Sequence, residues 1–179
     1  MAVTINGNGT ITPTTAINPA GSIIQVVSTE KVDSFTSTST SYVDITGLTA
    51  DITVTGSNKV IVMLCLASSS HADRFNYYKL LRGSTHIFKG TQVGTYRPAV
   101  TAMEAVGVLG NAGAIQTKGI TCVDTPGAGT HTYKLQGAVQ GGTGELCVNV
   151  SSRDSDNNDA PNHNDPRMAS SLILMEIQV

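Results

Sequence analysis

Tryptophan is absent from this 179-residue chain, and aromatic residues make up only 4% of it. Charge is scarce as well. Asp, Glu, Lys and Arg form 13% of the residues, about half the ~25% usual in soluble domains. The hydrophobic fraction, 40%, is ordinary, so disorder is excluded as the main state: disordered chains combine low hydrophobicity with high net charge. Long apolar runs are missing. The longest unbroken one, Val60 to Ala67, is far short of the ~20 residues a spanning helix needs, and no membrane partner is expected. Basic runs are missing too. Eleven Lys plus Arg face thirteen Asp plus Glu, which leaves little to neutralise phosphates and argues against a nucleic-acid partner. The N-terminus lacks a basic stretch followed by an apolar core, so no secretory signal is expected.

Enzyme signatures are also lacking. The chain has no Gly-x-Ser-x-Gly elbow, no phosphate-binding loop, no His-Glu-x-x-His and no dinucleotide fingerprint. Its four His (His71, His86, His131 and His163) are scattered, and Glu30, Glu104, Glu145 and Glu176 form no pair in sequence that marks glycoside hydrolysis. No catalytic residue, metal site or cofactor is expected. Cys65, Cys122 and Cys147 lie inside apolar or alternating runs, where cysteine behaves as a small buried hydrophobe; a single bridge such as Cys122–Cys147 stays open.

What is present is strand after strand. Length suits one domain that can bury roughly 70% of its unfolded surface. Residues 1–21 read as a separate segment, in which Thr and Asn alternate with Val and Ile among Gly7, Gly9, Pro13, Pro19 and Gly21. Such a segment is too broken to own a core but pairs well with another strand. It reads as an extended docking arm, with a disordered tail as the alternative. Residues 22–179 then read as the folded domain. Candidate strands are Ile23–Val27, Ser34–Thr38, Tyr42–Ile45, Ala50–Thr55, Lys59–Leu66, Phe75–Arg82, His86–Lys89, Ala99–Val106, Ile115–Asp124, His131–Gln140, Leu146–Ser151 and Ser171–Val179. Turn signals such as Thr46-Gly47, Gly56-Ser57-Asn58, Arg82-Gly83-Ser84 and Pro126-Gly127 separate them. Helical periodicity is nearly absent. An all-β antiparallel sandwich follows.

Two strands carry more information than the rest. Val60 to Leu66 is apolar at every position, and Leu172-Ile173-Leu174-Met175 is apolar on both faces before Glu176 restores polarity. An antiparallel sheet normally wets one face, so a doubly apolar strand needs a second cover. With no helix to supply it, another copy of the chain is the economical cover. Val60, Val62, Leu64, Leu172, Leu174 and Glu176 are accordingly expected at an interface between copies; a central strand under long loops is the alternative. A surface rich in Ser, Thr, Asn, Gln and Gly rather than charge points the same way, because little repels neighbouring copies.

Loops offer one ligand candidate. Asp154, Asp156, Asn158 and Asp165 fall at positions one, three, five and twelve of a calcium loop. Asp159 replaces the glycine at position six, and a solvated turn-rich loop explains the same residues. The loops over 68–74 and 91–98, with Tyr96 and Arg97, are ordinary places for recognition.

Several ordered blocks resemble a known group. They are GSIIQVVS from Gly21, SYVDITGL from Ser41, KVIVM from Lys59, YKLLRGS from Tyr78, TYKLQ from Thr132, SRDSD from Ser152 and SLILMEI from Ser171. Over residues 21–179 these are similar to jelly-roll virion proteins of tailed phages, especially cyanophages. The resemblance implies a tumour-necrosis-factor-like jelly roll forming a homotrimer, used in capsid cement, decoration or fibre tips, with no shared catalytic residues. The expected partners are its own copies and a major capsid protein or neighbouring virion protein. The expected place is the virion, assembled in the host cytoplasm and exposed on the particle surface. A start at Met1 with only a short arm favours a small capsid-attached protein over a long tail fibre, with Val3, Ile5 and Ile11 as docking residues. A fibre tip that recognises a host glycan or protein is the alternative.

Overall fold

A computed structural model describes residues 18–70, 75–95, 98–105, 114–141, 144–152 and 166–179. Among them the strands are β1 (Ile23–Lys31), β2 (Phe35–Ser37), β3 (Val43–Val54), β4 (Lys59–Ser70), β5 (Phe75–Arg82), β6 (Thr85–Ile87), β7 (Ala102–Ala105), β8 (Gln116–Asp124), β9 (Gly129–Val139), β10 (Leu146–Val148) and β11 (Ser170–Ile177). Every pairing between them is antiparallel. No described helix is long and apolar enough to cross a membrane.

One sheet runs β1–β11–β4–β8, and β10 with β2 extends it where β4 continues past β11 to Ser70. The other runs β3–β9–β5, whose far edge is shared end to end by β6 and β7. Leaving aside the three-residue strands, every connection but β5 to β7 changes sheet. That is the double Greek key of a jelly roll.

The core lies between the sheets. Alternation supplies it: Val60, Val62, Leu64 and Leu66 from β4 meet Ile52, Val54, Leu80, Tyr133 and Leu135 from the facing sheet, with Leu172 and Leu174 beside them. At roughly 1.5–3 kcal/mol per fully buried large side chain, this layer is the main favourable term of the fold.

The order of strands follows the sequence pattern, but their bounds move: β1 and β4 run on to Lys31 and Ser70, past the expected Val27 and Leu66, β7 starts at Ala102 and not Ala99, and β10 stops at Val148. Tyr42–Ile45 and Ala50–Thr55 belong to a single strand, β3, and Thr46-Gly47 is not a turn between them. Asp44 pairs with Gln136 while Thr49 pairs with Lys134, so β3 carries extra residues in a bulge. Gly47 takes the left-handed conformation (φ 85°) that the bulge requires. The reason is burial: Ile45 and Leu48, three residues apart, would face opposite sides of a regular strand, yet both are buried. Lys31 lays its stem against Gly47, about where a β-carbon would project.

Candidate functional site

Cross-strand register decides which half of each apolar strand is covered by the domain itself. Val60, Val62, Leu64, Leu172, Leu174 and Glu176 are at most 2% exposed, and all point into the layer between the sheets. They are therefore unavailable to another copy, and the apolar side chains that face outward are those one residue along on both strands.

The complementary set makes the outer surface. Val26, Met175, Ile61 and Val123 form one row across β1, β11, β4 and β8, and Ser28, Ile173, Met63 and Thr121 form the next. Beyond them Glu30, Ser171, Cys65 and Gly119 line up, with Lys59 beside Ile177 at the opposite end. Val26 and Val123 are 58% and 61% exposed, and Met63 is exposed, while Ile61, Ile173 and Met175 are half-buried. The result is a flat aliphatic band with charge only at its two ends. It has no aromatic residue and no pocket-forming polar group. Chemically it can exclude water against a matching surface and do little else.

Polar groups inside the sandwich act as ties. Near the end of the sandwich where β11 finishes, one oxygen of Glu176 accepts from the Thr55 backbone N–H (2.7 Å), the Thr55 hydroxyl (2.9 Å) and the Asn58 amide (2.8 Å). The Asn58 carbonyl oxygen in turn accepts from the Val179 N–H (3.1 Å). At the same end Arg82 binds both oxygens of Asp124 (2.8 and 2.6 Å), which also accepts from the Tyr133 hydroxyl (2.8 Å). At the other end Glu104 accepts from Ser68 (2.8 Å) and Tyr78 (3.3 Å) and pairs with Lys118 at 3.3 Å. Each tie joins the two sheets. Sequence reasoning named Glu104 only as an unpaired carboxylate and passed over Lys118; its one signal was a charge on the Lys118, Ile120, Cys122 side of β8, which alternation marks as inward.

Glu176 gives a pH prediction. Burial pushes its carboxyl up, but the bonds from Thr55 and Asn58 outweigh that and hold it below the ordinary 4.5. A depressed value means stability is present above pH 4.5 and is lost as pH falls through the folded-state value. Glu176→Gln keeps an oxygen for the three donors but loses the charge. It should cost about 1–2 kcal/mol at pH 7 and flatten the acid limb, measured as urea midpoints from pH 7 down to pH 3. An acid limb as steep as in the parent chain would show that the carboxylate carries none of it.

Other expected residues are placed as follows. Cys122 and Cys147 are unpaired and buried, and Cys65 is unpaired and exposed. Cys122 lies level with Val62 and Cys147 level with Ser69 along β4, about 23 Å apart at 3.3 Å per residue, so they are not bridged. Burial pushes the Cys147 thiol up to about 12, which removes it as a nucleophile. His86 bonds the Thr101 hydroxyl and His131 the Gly127 carbonyl, each at 3.0 Å. No cluster of three His, Cys, Asp or Glu could hold a metal among the described residues. Val3, Ile5, Ile11, His71, Asp73, Tyr96, Arg97, His163 and the Asp154–Asp165 loop lie outside the described residues.

Comparison with known proteins gives little more. No family model matches the sequence, and no curated protein matches it. The chain is similar to a solved structure of infectious bursal disease virus, Gx strain, at 16% identity and a TM-score of 0.36. The match covers 92% of this chain and spans 42% of that one.

Proposed function

We propose that this chain is a structural protein of a phage virion: a homotrimeric capsid cement or decoration protein. Residues 1–21, with Val3, Ile5 and Ile11, dock it on the major capsid protein or a neighbouring virion protein. Its copies meet through the outer face of the β1–β11–β4–β8 sheet. The observation that carries this reading is the aliphatic band of Val26, Ile61, Met63, Val123, Ile173 and Met175, which nothing else among the described residues covers. The charge-poor surface and the blocks that resemble phage jelly-roll proteins support it further. Its work is adhesion and not turnover.

The test is one substitution in the band. Met175→Asp should convert a trimer to monomers by size-exclusion with light scattering, because a charge would be buried at each contact. The thermal midpoint of the monomer should move by no more than a few degrees, as surface changes usually cost within ~0.5 kcal/mol. An unchanged trimer would remove this face from the interface. Capsid binding by the parent chain and its loss on deleting residues 2–20 would test the docking arm.

A second reading is a fibre tip that recognises a host glycan or protein. It is favoured by the strand ends, because Ser70, Phe75, Ala105, Gln116, Val139 and Leu146 place the roots of three connections at one end of the sandwich. Binding to host cells and not to capsids would select it.

A further inference from the structure

The outer face of the second sheet differs in chemistry from the first. Phe75, Tyr77 and Lys79 of β5 alternate with the inward Asn76, Tyr78 and Leu80, and Gln136 stands across from Lys79. The Phe75 and Tyr77 ring planes lie 10° from parallel with centroids 6.4 Å apart. The Lys79 ammonium sits 3.7 Å from the centre of the Tyr42 ring. Three of the chain's five Tyr and three Phe thus gather on one outer surface, where the core has no use for them. Tyr78 and Tyr133, by contrast, are fully buried.

Charge on this face is unbalanced. Lys79 and Lys89 make no ion pair among the described residues, and Lys89 follows β6 two residues after Ile87, whose partner on β5 is Leu80, the neighbour of Lys79. Two carboxylates stand on this face: Asp44 is already held by Lys134 (2.8 Å) and Gln136 (2.7 Å), and Asp51 pairs with Thr132, four residues along β9 from the Gln136 that faces Lys79. A chain of net charge −2 therefore presents flat aromatic rings beside uncompensated cations.

We infer that this face binds an acidic saccharide, Phe75 and Tyr77 stacking on the apolar side of a pyranose ring while Lys79 and Lys89 pair with its carboxylate. Rings and cations together fit a ligand with an apolar face and one negative charge per unit. Single-stranded nucleic acid also stacks on aromatics, but it needs a track of cations along its phosphates, and two lysines do not make one. An acidic peptide supplies the charge without a flat face to stack. The site lies on the sheet opposite the proposed contact between copies, so it stands or falls apart from that reading.

The test uses the full chain, titrated calorimetrically at low salt with oligogalacturonate and with sialic acid oligomers. Binding of one of these is expected, weakened at least about tenfold by methyl esterification of its carboxylates, by Lys79→Gln and by Tyr77→Ala. Both variants should keep the parent's oligomeric state and circular-dichroism spectrum. The inference is overturned if neither saccharide binds, if the ester binds as well as the acid, or if Lys79→Gln binds unchanged. Equal or tighter binding of oligoglutamate or of oligo-dT would overturn it too, reassigning the face to a peptide or a nucleic acid.

Discussion

Leu174→Asp is expected to abolish folding, whereas Met175→Asp, one residue along, should leave a folded chain. Leu174 is fully buried and stands between Val27 of β1 and Val62 of β4 in the layer between the sheets. Removing a buried leucine costs about 2–5 kcal/mol. Placing an unpaired carboxylate in the same aliphatic site adds several more, because no described donor faces it. The sum is comparable with the whole stability of a domain, about 5–15 kcal/mol. Circular dichroism and size exclusion should show an unfolded or aggregated Leu174→Asp chain and a native spectrum for Met175→Asp. A soluble, folded Leu174→Asp chain would mean that β11 is out of register by one residue, and the outer band would have to be redrawn.

That pair of neighbours also shows what the sequence could and could not disclose. Where only one face is apolar, alternation gives the answer: Ile52 and Val54 are buried and Asp51 and Thr53 exposed, as their pattern predicts. The bounds of Phe75–Arg82 were legible to the residue, because the Arg82-Gly83-Ser84 turn closes the strand, although alternation does not give its faces. In Val60–Leu66 and Leu172–Met175 both faces are apolar, and period two carries no phase. A shift of one residue exchanges core for surface, and only pairing with β8 and β1 resolves it. The residues expected at an interface therefore turn out to face the core, and their neighbours along the same strands face outward. Glu176 was drawn into it by standing at the polar end of an apolar run, although its partners Thr55 and Asn58 lie more than a hundred residues away. The bulge at Gly47 was hidden differently, since a Thr-Gly step reads the same in a turn and in a bulge. The aromatic face of the second sheet was not legible at all, because Tyr42, Tyr77 and Phe75 meet only through β9 and β5.

Lys118→Met should destabilise the fold by about 3–5 kcal/mol, because removing one partner of a buried ion pair strands the other. The side chains of Lys118 and Glu104 are only 13% and 3% exposed, and their pairing joins β8 of one sheet to β7 of the other. Burial pushes the Lys118 ammonium down in pKa, and the attraction of Glu104 offsets only part of this. For Lys118, the attraction of Glu104 therefore does not make up the full cost of leaving water. Without Lys118, the Glu104 carboxylate keeps only the hydroxyls of Ser68 and Tyr78 as described donors, and Ser68 loses the bond that Lys118 gives it at 2.8 Å. Glu104→Leu alone should cost less, since the longer Lys118 can swing its ammonium toward solvent. Glu104→Leu with Lys118→Met should recover most of the loss, because an apolar pair of similar volume is often neutral or stabilising in place of a buried ion pair. Urea unfolding of the four chains reads out the cycle. Additive losses in the double variant would show that the two charges do not act on each other, and that the β7–β8 tie rests on the hydroxyls alone.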